Sequence, residues 1–173
     1  MIIDEIFKPL YGKYCWCAKK GIGSFLTFEF GEPHLEVHSG FRTKEGIKEF
    51  RRFPAVHGDW HLWVYLCDWT ITTHGKVKAT SESRARDIDR AMGRLNGQSL
   101  IQVQVEAGAQ THFVFELGDH LHTKPNTAAY GTFYDQWLLY EPSGKVFTLR
   151  DDMKYSHNPG IADPTKKEWL PLD

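Results

Sequence analysis

The sequence predicts an α+β protein in which a helix and an antiparallel meander form a unit that is used twice, the helices packed on one side of antiparallel β-sheet. Two near-repeats carry that expectation. Ile88-Asp89-Arg90-Ala91-Met92-Gly93-Arg94-Leu95-Asn96-Gly97 follows the pattern of Ile3-Asp4-Glu5-Ile6-Phe7-Lys8-Pro9-Leu10-Tyr11-Gly12, with Ile, Asp, Leu and Gly identical. Phe28-Glu29-Phe30-Gly31 answers to Phe115-Glu116-Leu117-Gly118, and the two matches lie 85 residues (Ile3 to Ile88) and 87 residues (Gly31 to Gly118) apart, nearly collinear. The expected organisation is one domain over 1–173, built of two pseudo-repeats (3–79 and 88–153) about a pseudo-twofold axis, with an irregular tail over 156–173.

In the second helix Ile88, Ala91, Met92 and Leu95 fall at i, i+3, i+4 and i+7 and form one apolar face. Thr80, Ser81 and Ser83 offer capping oxygens before it, and Asn96-Gly97 offers a left-handed stop after it. Ile3, Ile6, Phe7 and Leu10 repeat the spacing at the N-terminus, but Pro9 lacks an N–H and ends the first helix near Lys8.

Strands follow each helix. Ser24 to Phe30 alternates Leu26, Phe28 and Phe30 against Phe25, Thr27 and Glu29, and is expected to form a hairpin with His34 to His38 across Gly31-Glu32-Pro33. Ser39 to Asp59 reads as a polar connection with a short helix at Lys44 to Phe50, and Thr123 to Tyr134 as its shorter counterpart. Trp60 to Thr73 reads as one strand with two apolar faces, Trp60, Leu62, Val64 and Leu66 against His61, Trp63, Tyr65 and Cys67. His74 to Ser83 is a polar joint; Leu100 to Val105 and Thr111 to Leu117 are strands; and Gln136 to Tyr140 and Lys145 to Arg150 flank the turn Glu141-Pro142-Ser143-Gly144. Pro159, Pro164 and Pro171 mark the tail as irregular.

A chain of 173 residues with a formal charge of −1 gives no electrostatic case for nucleic acid or an acidic membrane. The basic clusters Lys44 to Arg52 and Arg84 to Arg94 are interspersed with acids and read as solvated faces. The first residues lack a basic segment followed by an apolar run, no window approaches a membrane helix, and three cysteines show no framework spacing. A cytoplasmic protein with free thiols is the expectation.

No catalytic signature stands out. His57 and His61 are four apart, but Gly58 between them argues against one helical face. His120 and His122, beside Asp119, would share a strand face, as would Cys15 and Cys17; none makes a complete ligand set, so neither a metal nor another cofactor is expected. Cys67 with His61 on its face is the sharpest nucleophile reading, yet no glycine elbow or helix N-terminus adjoins it. Asp151-Asp152 and Glu141 do not pair by position, and Gly21-Ile22-Gly23-Ser24 precedes a strand rather than a helix, unlike a phosphate loop.

What remains is an aromatic surplus: Trp16, Trp60, Trp63, Trp69, Trp137 and Trp169, with Tyr65, Tyr130, Tyr134 and Tyr140. The leading expectation is a non-catalytic cytosolic interaction protein, of an immunity or inhibitory type. It would hold a protein partner or a second copy through Trp60, Trp63, Tyr65 and Trp69, with His61, Cys67 and the connection Ser39 to Asp59. The alternative is a small-molecule-binding protein or small enzyme with a pocket between the two repeats and His61, Cys67 or His120 as working groups.

Overall fold

The computed structural model describes residues 2–44, 47–126, 133–161, 163 and 167–172, with the backbone alone over 41–44 and 47–49. The chain opens with helix α1 (Ile2–Phe7), which tightens into a 3-10 turn at Lys8–Leu10 where Pro9 stops it; Ile3, Phe7 and Leu10 are buried. Strands β1 (Cys15–Lys20), β2 (Leu26–Phe30), β3 (His34–Lys44), β4 (Ile47–His57), β5 (Trp60–Val64), β6 (Cys67–Thr73) and β7 (Lys76–Thr80) follow. Helix α2 (Ala85–Leu95) then precedes β8 (Leu100–Glu106), β9 (Gln110–Phe115), β10 (Asp119–Pro125), β11 (Asp135–Tyr140), β12 (Lys145–Arg150), β13 (Lys154–Pro159) and β14 (Leu170–Pro171).

The strands form a larger sheet ordered β1-β2-β5-β11-β12-β13-β14, a smaller one ordered β7-β6-β10-β9-β8, and a separate β3-β4 ribbon. The two main sheets share one core. Trp137 of β11 donates from Nε1 to Thr111 Oγ1 of β9 at 2.9 Å, and its ring meets Phe7 and Phe113 edge-on at 5.5 and 5.9 Å. The β1 and β8 edges meet at the Tyr14–Ser99 bridge.

This arrangement corrects the predicted fold class. Among the described residues strand makes up 56% and helix 13%, so the body is β-sheet, and the duplicated helix-plus-meander α+β architecture does not describe it. The helices are too short to form a layer. Each half of the chain also splits its strands between the sheets: β1, β2 and β5 enter the larger and β6 and β7 the smaller, while β8 to β10 enter the smaller and β11 to β14 the larger.

Other differences have local causes. The predicted strand Trp60 to Thr73 breaks at Tyr65-Leu66, whose backbone amides bond to Gln136 O and Asp135 O, and β5 and β6 enter different sheets. The corner shifts the inward phase by one residue: Leu62 and Val64 point inward before it, Cys67, Trp69, Ile71 and Thr73 after it. The shift puts Cys67 inward, while Trp63 and Tyr65 stay on the outer face and pack on Phe25, so both faces look apolar in the sequence. Of the helix expected over Lys44 to Phe50, Lys44 and 47–50 are strand, 45–46 lie outside the described residues, and β3 pairs with β4 rather than with β2. Part of the joint before α2 is β7, and the start of the tail is β13. Cys15 is buried and Cys17 exposed, because a bulge between Trp16 and Lys19 puts Cys17 at φ +52°. Among the described residues no side chain caps α2: Ser83 Oγ instead accepts from Thr80 N at 2.9 Å, and Asn96 Oδ1 accepts from Ala18 N at 2.7 Å. The Thr123 to Tyr134 connection is strand up to Pro125, while 127–132, including Tyr130, lie outside the described residues.

Asp119 ties α2 to the smaller sheet. Its fully buried carboxylate accepts from Gln98 Nε2 at 2.6 Å, from Thr73 Oγ1, and from Arg94 Nε at 3.4 Å. Burial pushes its pKa up, but the hydrogen bonds from Thr73, Gln98 and Arg94 outweigh this and hold it below the ordinary aspartate value. Asp119→Ala strands these donors and is expected to cost about 3 kcal/mol or more, read as a lower urea midpoint. An unchanged midpoint would contradict the assignment.

Candidate functional site: a histidine and carboxylate cavity

The outer face of the larger sheet carries the chemistry. Because Leu26, Phe28 and Phe30 of β2 point into the core, Glu29 must point outward. Antiparallel register sets Glu29 opposite His61 of β5, and His61 opposite Tyr140 of β11. The result is a row of carboxylate, imidazole and phenol across three strands.

The β3-β4 ribbon completes the site. His34, Glu36 and His38 share one face of β3, and register pairs His34 with His57 at the end of β4. A tight Gly58-Asp59 turn then leads into β5. A Cβ at Gly58 would stand 2.4 Å from Phe30 O, so only glycine lets this turn lie against β2. Asp59 Oδ2 fastens the turn by accepting from Glu32 N at 3.0 Å. A cavity of about 510 Å³ results, lined by His34, Glu36, His38, His57, His61, Trp63 and Tyr140 among others.

Glu29 is the anchor, with its side chain 4% exposed. Oε1 lies 2.7 Å from His61 Nδ1 and 3.1 Å from His57 Nδ1, and Oε2 accepts from Gly58 N at 3.0 Å. Burial pushes its pKa up, but hydrogen bonds from His61, Gly58 and His57, with the His61 charge, hold it below the ordinary glutamate value. An ionised carboxylate only accepts, so each imidazole carries its proton on Nδ1 and, when neutral, has its lone pair on Nε2. The Tyr140 phenol has its pKa raised by burial and by Asp135, and stays neutral.

Two sets of ligand atoms converge closely. One nitrogen each of His57 and His61 and a Glu29 oxygen lie within 4.8 Å of one another, as do ligand atoms of Glu36, His38 and His57. His57 belongs to both. His57 and His61, whose spacing of four suits a helix that Gly58 argued against, are brought together by the turn from β4 into β5.

The residues singled out in the sequence separate. His61 is in the cavity wall and Trp63 lines its edge. Trp63, Tyr65 and Phe25 form a half-buried cluster, with Phe25 4.5 Å from Tyr65 and Trp63 4.9 Å from Tyr65. Trp60 packs partly on the core under Lys13 Nζ at 5.1 Å. Trp69 is 1% exposed and donates to Ser24 O at 2.6 Å. Cys67 is equally interior; burial first, then the Asp68 charge, pushes its thiol up to about 12, which leaves it un-ionised at neutral pH. His120 stacks on His122 at 5.8 Å on the outer face of the smaller sheet, where His122 Nδ1 meets His112 Nδ1 at 2.9 Å. The sequence reading missed Glu29, Glu36 and His38 as site residues. The only signal was the alternation that put Glu29 opposite the apolar face.

Compared with known proteins, the chain matches no protein-family model, no curated protein and no solved structure. Among the described residues, no helix is long and apolar enough to cross a membrane.

The depressed pKa of Glu29 means its contribution to stability is present above the unfolded value of about 4.3 and is lost as pH falls through the lower folded value. Long-range ¹⁵N NMR at neutral pH is expected to find His57 and His61 protonated at Nδ1, and Glu29→Ala to abolish that preference. Predominant Nε2–H tautomers in the wild type would contradict the geometry.

Proposed function

We propose that this chain is a metal-binding protein that holds one divalent transition-metal ion through Glu29, His57 and His61. The observation that carries the reading is the convergence of two Nδ1 atoms on one buried carboxylate oxygen. Two imidazoles and a carboxylate are a donor set suited to zinc, iron or cobalt, and three ligands leave a coordination position open. The ion takes the place of the two bridging protons. Each neutral imidazole moves its proton to Nε2 and gives its Nδ1 lone pair to the metal, while Oε2 keeps the Gly58 hydrogen bond.

The surroundings favour a cation. Asp59 and Glu141 add carboxylates to the lining, and Trp63 and Tyr140 give it aromatic walls. A cavity of about 510 Å³ beside the open position has the size of a small-molecule site. From the pocket reading of the sequence this retains only His61 as a working group: the cavity lies between the β3-β4 ribbon and the larger sheet rather than between two repeats, and Glu29 and His57 take the place of Cys67 and His120. The interaction-module reading has less support, since Cys67 and Trp69 are interior and Trp63 and Tyr65 pack on Phe25.

Equilibrium dialysis with zinc is expected to show one ion per chain, and His61→Ala to weaken binding at least about 100-fold with the fold intact by circular dichroism. No zinc on the wild type, or equal binding by the variant, would overturn the proposal.

A further inference from the structure

Side-chain exposure falls steeply along the two overlapping ligand sets. It is 58% at His38, 45% at Glu36, 28% at His57, 18% at His61 and 4% at Glu29. The outer set, Glu36, His38 and His57, lies on the ribbon, and the inner set joins His57 to Glu29 and His61 on the larger sheet. His57 at the end of β4 is the one residue common to both.

A neutral imidazole has one lone pair, so His57 serves one ion at a time unless it ionises to imidazolate. In the metal-free state its proton is on Nδ1, facing Glu29, and the lone pair is on Nε2. Glu36 is held ready by its neighbours, with Oε1 3.0 Å from His34 Nε2 and Oε2 3.4 Å from His38 Nε2. An ion arriving from solvent therefore meets a carboxylate and two histidines before it reaches the buried set.

We infer that Glu36, His38 and His57 form a transient outer station for a divalent transition-metal ion, from which it passes inward to Glu29 and His61, His57 serving first the outer set and then the inner one. The inference rests on the metal site proposed above. In the transfer the ion leaves Nε2 of His57 and is taken up at Nδ1; the Nδ1 proton is lost to solvent and Nε2 takes one from solvent, so the ring ends neutral. No redox change is involved. Both sets are never filled together, so stoichiometry stays at one while the outer residues set the rate. The same path serves release, because the outer station is the more exposed of the two sets.

The test compares the full-length wild type with the double variant E36Q/H38A, both substitutions being at exposed positions. Zinc is loaded in stopped flow against a chromogenic chelator, its release to excess chelator is followed, and native mass spectrometry gives the stoichiometry. The expected result is one zinc in both proteins, affinities equal within about twofold, and loading and release both slowed by about tenfold in the variant. Unchanged rates would overturn the station. Two zinc ions on the wild type would overturn the sharing of His57, and an affinity loss above about tenfold would make Glu36 and His38 permanent ligands. Absence of zinc from the wild type would remove the inner site itself, a failure distinct from the other three.

Discussion

A carboxylate buried against a sheet must be answered by donors, and the answer to Glu29 organises this molecule's outer face. Three donors reach it, from His57, His61 and Gly58, and all come from the β4–β5 turn and the strands on either side. Removing water from an ionised carboxylate costs several kcal/mol unless the charge is paired or hydrogen-bonded. That penalty ties β2 to β5 on the face opposite the apolar core. The ribbon β3-β4 is thereby anchored where the cavity forms, since His57 ends β4 and is held by Glu29.

The same constraint explains the ribbon's polarity. His34, Glu36 and His38 face the cavity, while Leu35, Val37 and Val56 on its other face are exposed. An ordinary ribbon lying on a sheet would turn its apolar side inward. Here the sheet face below carries Glu29, His61 and Tyr140, so the polar side of the ribbon is the complementary one. Hydrophobic burial is supplied elsewhere, by the shared core around Phe7, Phe113 and Trp137. Site and core thus occupy opposite faces of β2, β5 and β11, and alternation along each strand assigns every residue to one or the other.

Much of the local structure was legible in the sequence. The apolar face of α2, the stop at Pro9, the turn at Glu141 to Gly144 and the outward position of Glu29 all follow from short-range spacing. What was hidden depends on long-range pairing. β2 finds β5 across the whole β3-β4 ribbon, so Gly31 to Pro33 looks like a hairpin turn when it is not. The corner at Tyr65-Leu66 changes phase without any glycine or proline to announce it. His57 and His61 were visible as a pair, and Gly58 argued against them only so long as a helix was the frame. In a turn, that glycine is what brings them together.

The most direct test of the metal site is a crystal of the protein soaked in zinc, with diffraction collected at the zinc absorption edge. The account predicts one strong anomalous peak about 2.0–2.2 Å from a Glu29 oxygen, His57 Nδ1 and His61 Nδ1. A peak bound at the Nε2 atoms, with both Nδ1 contacts to Glu29 preserved, would make Glu29 an orienting group rather than a ligand. No peak in the cavity would contradict the metal assignment altogether.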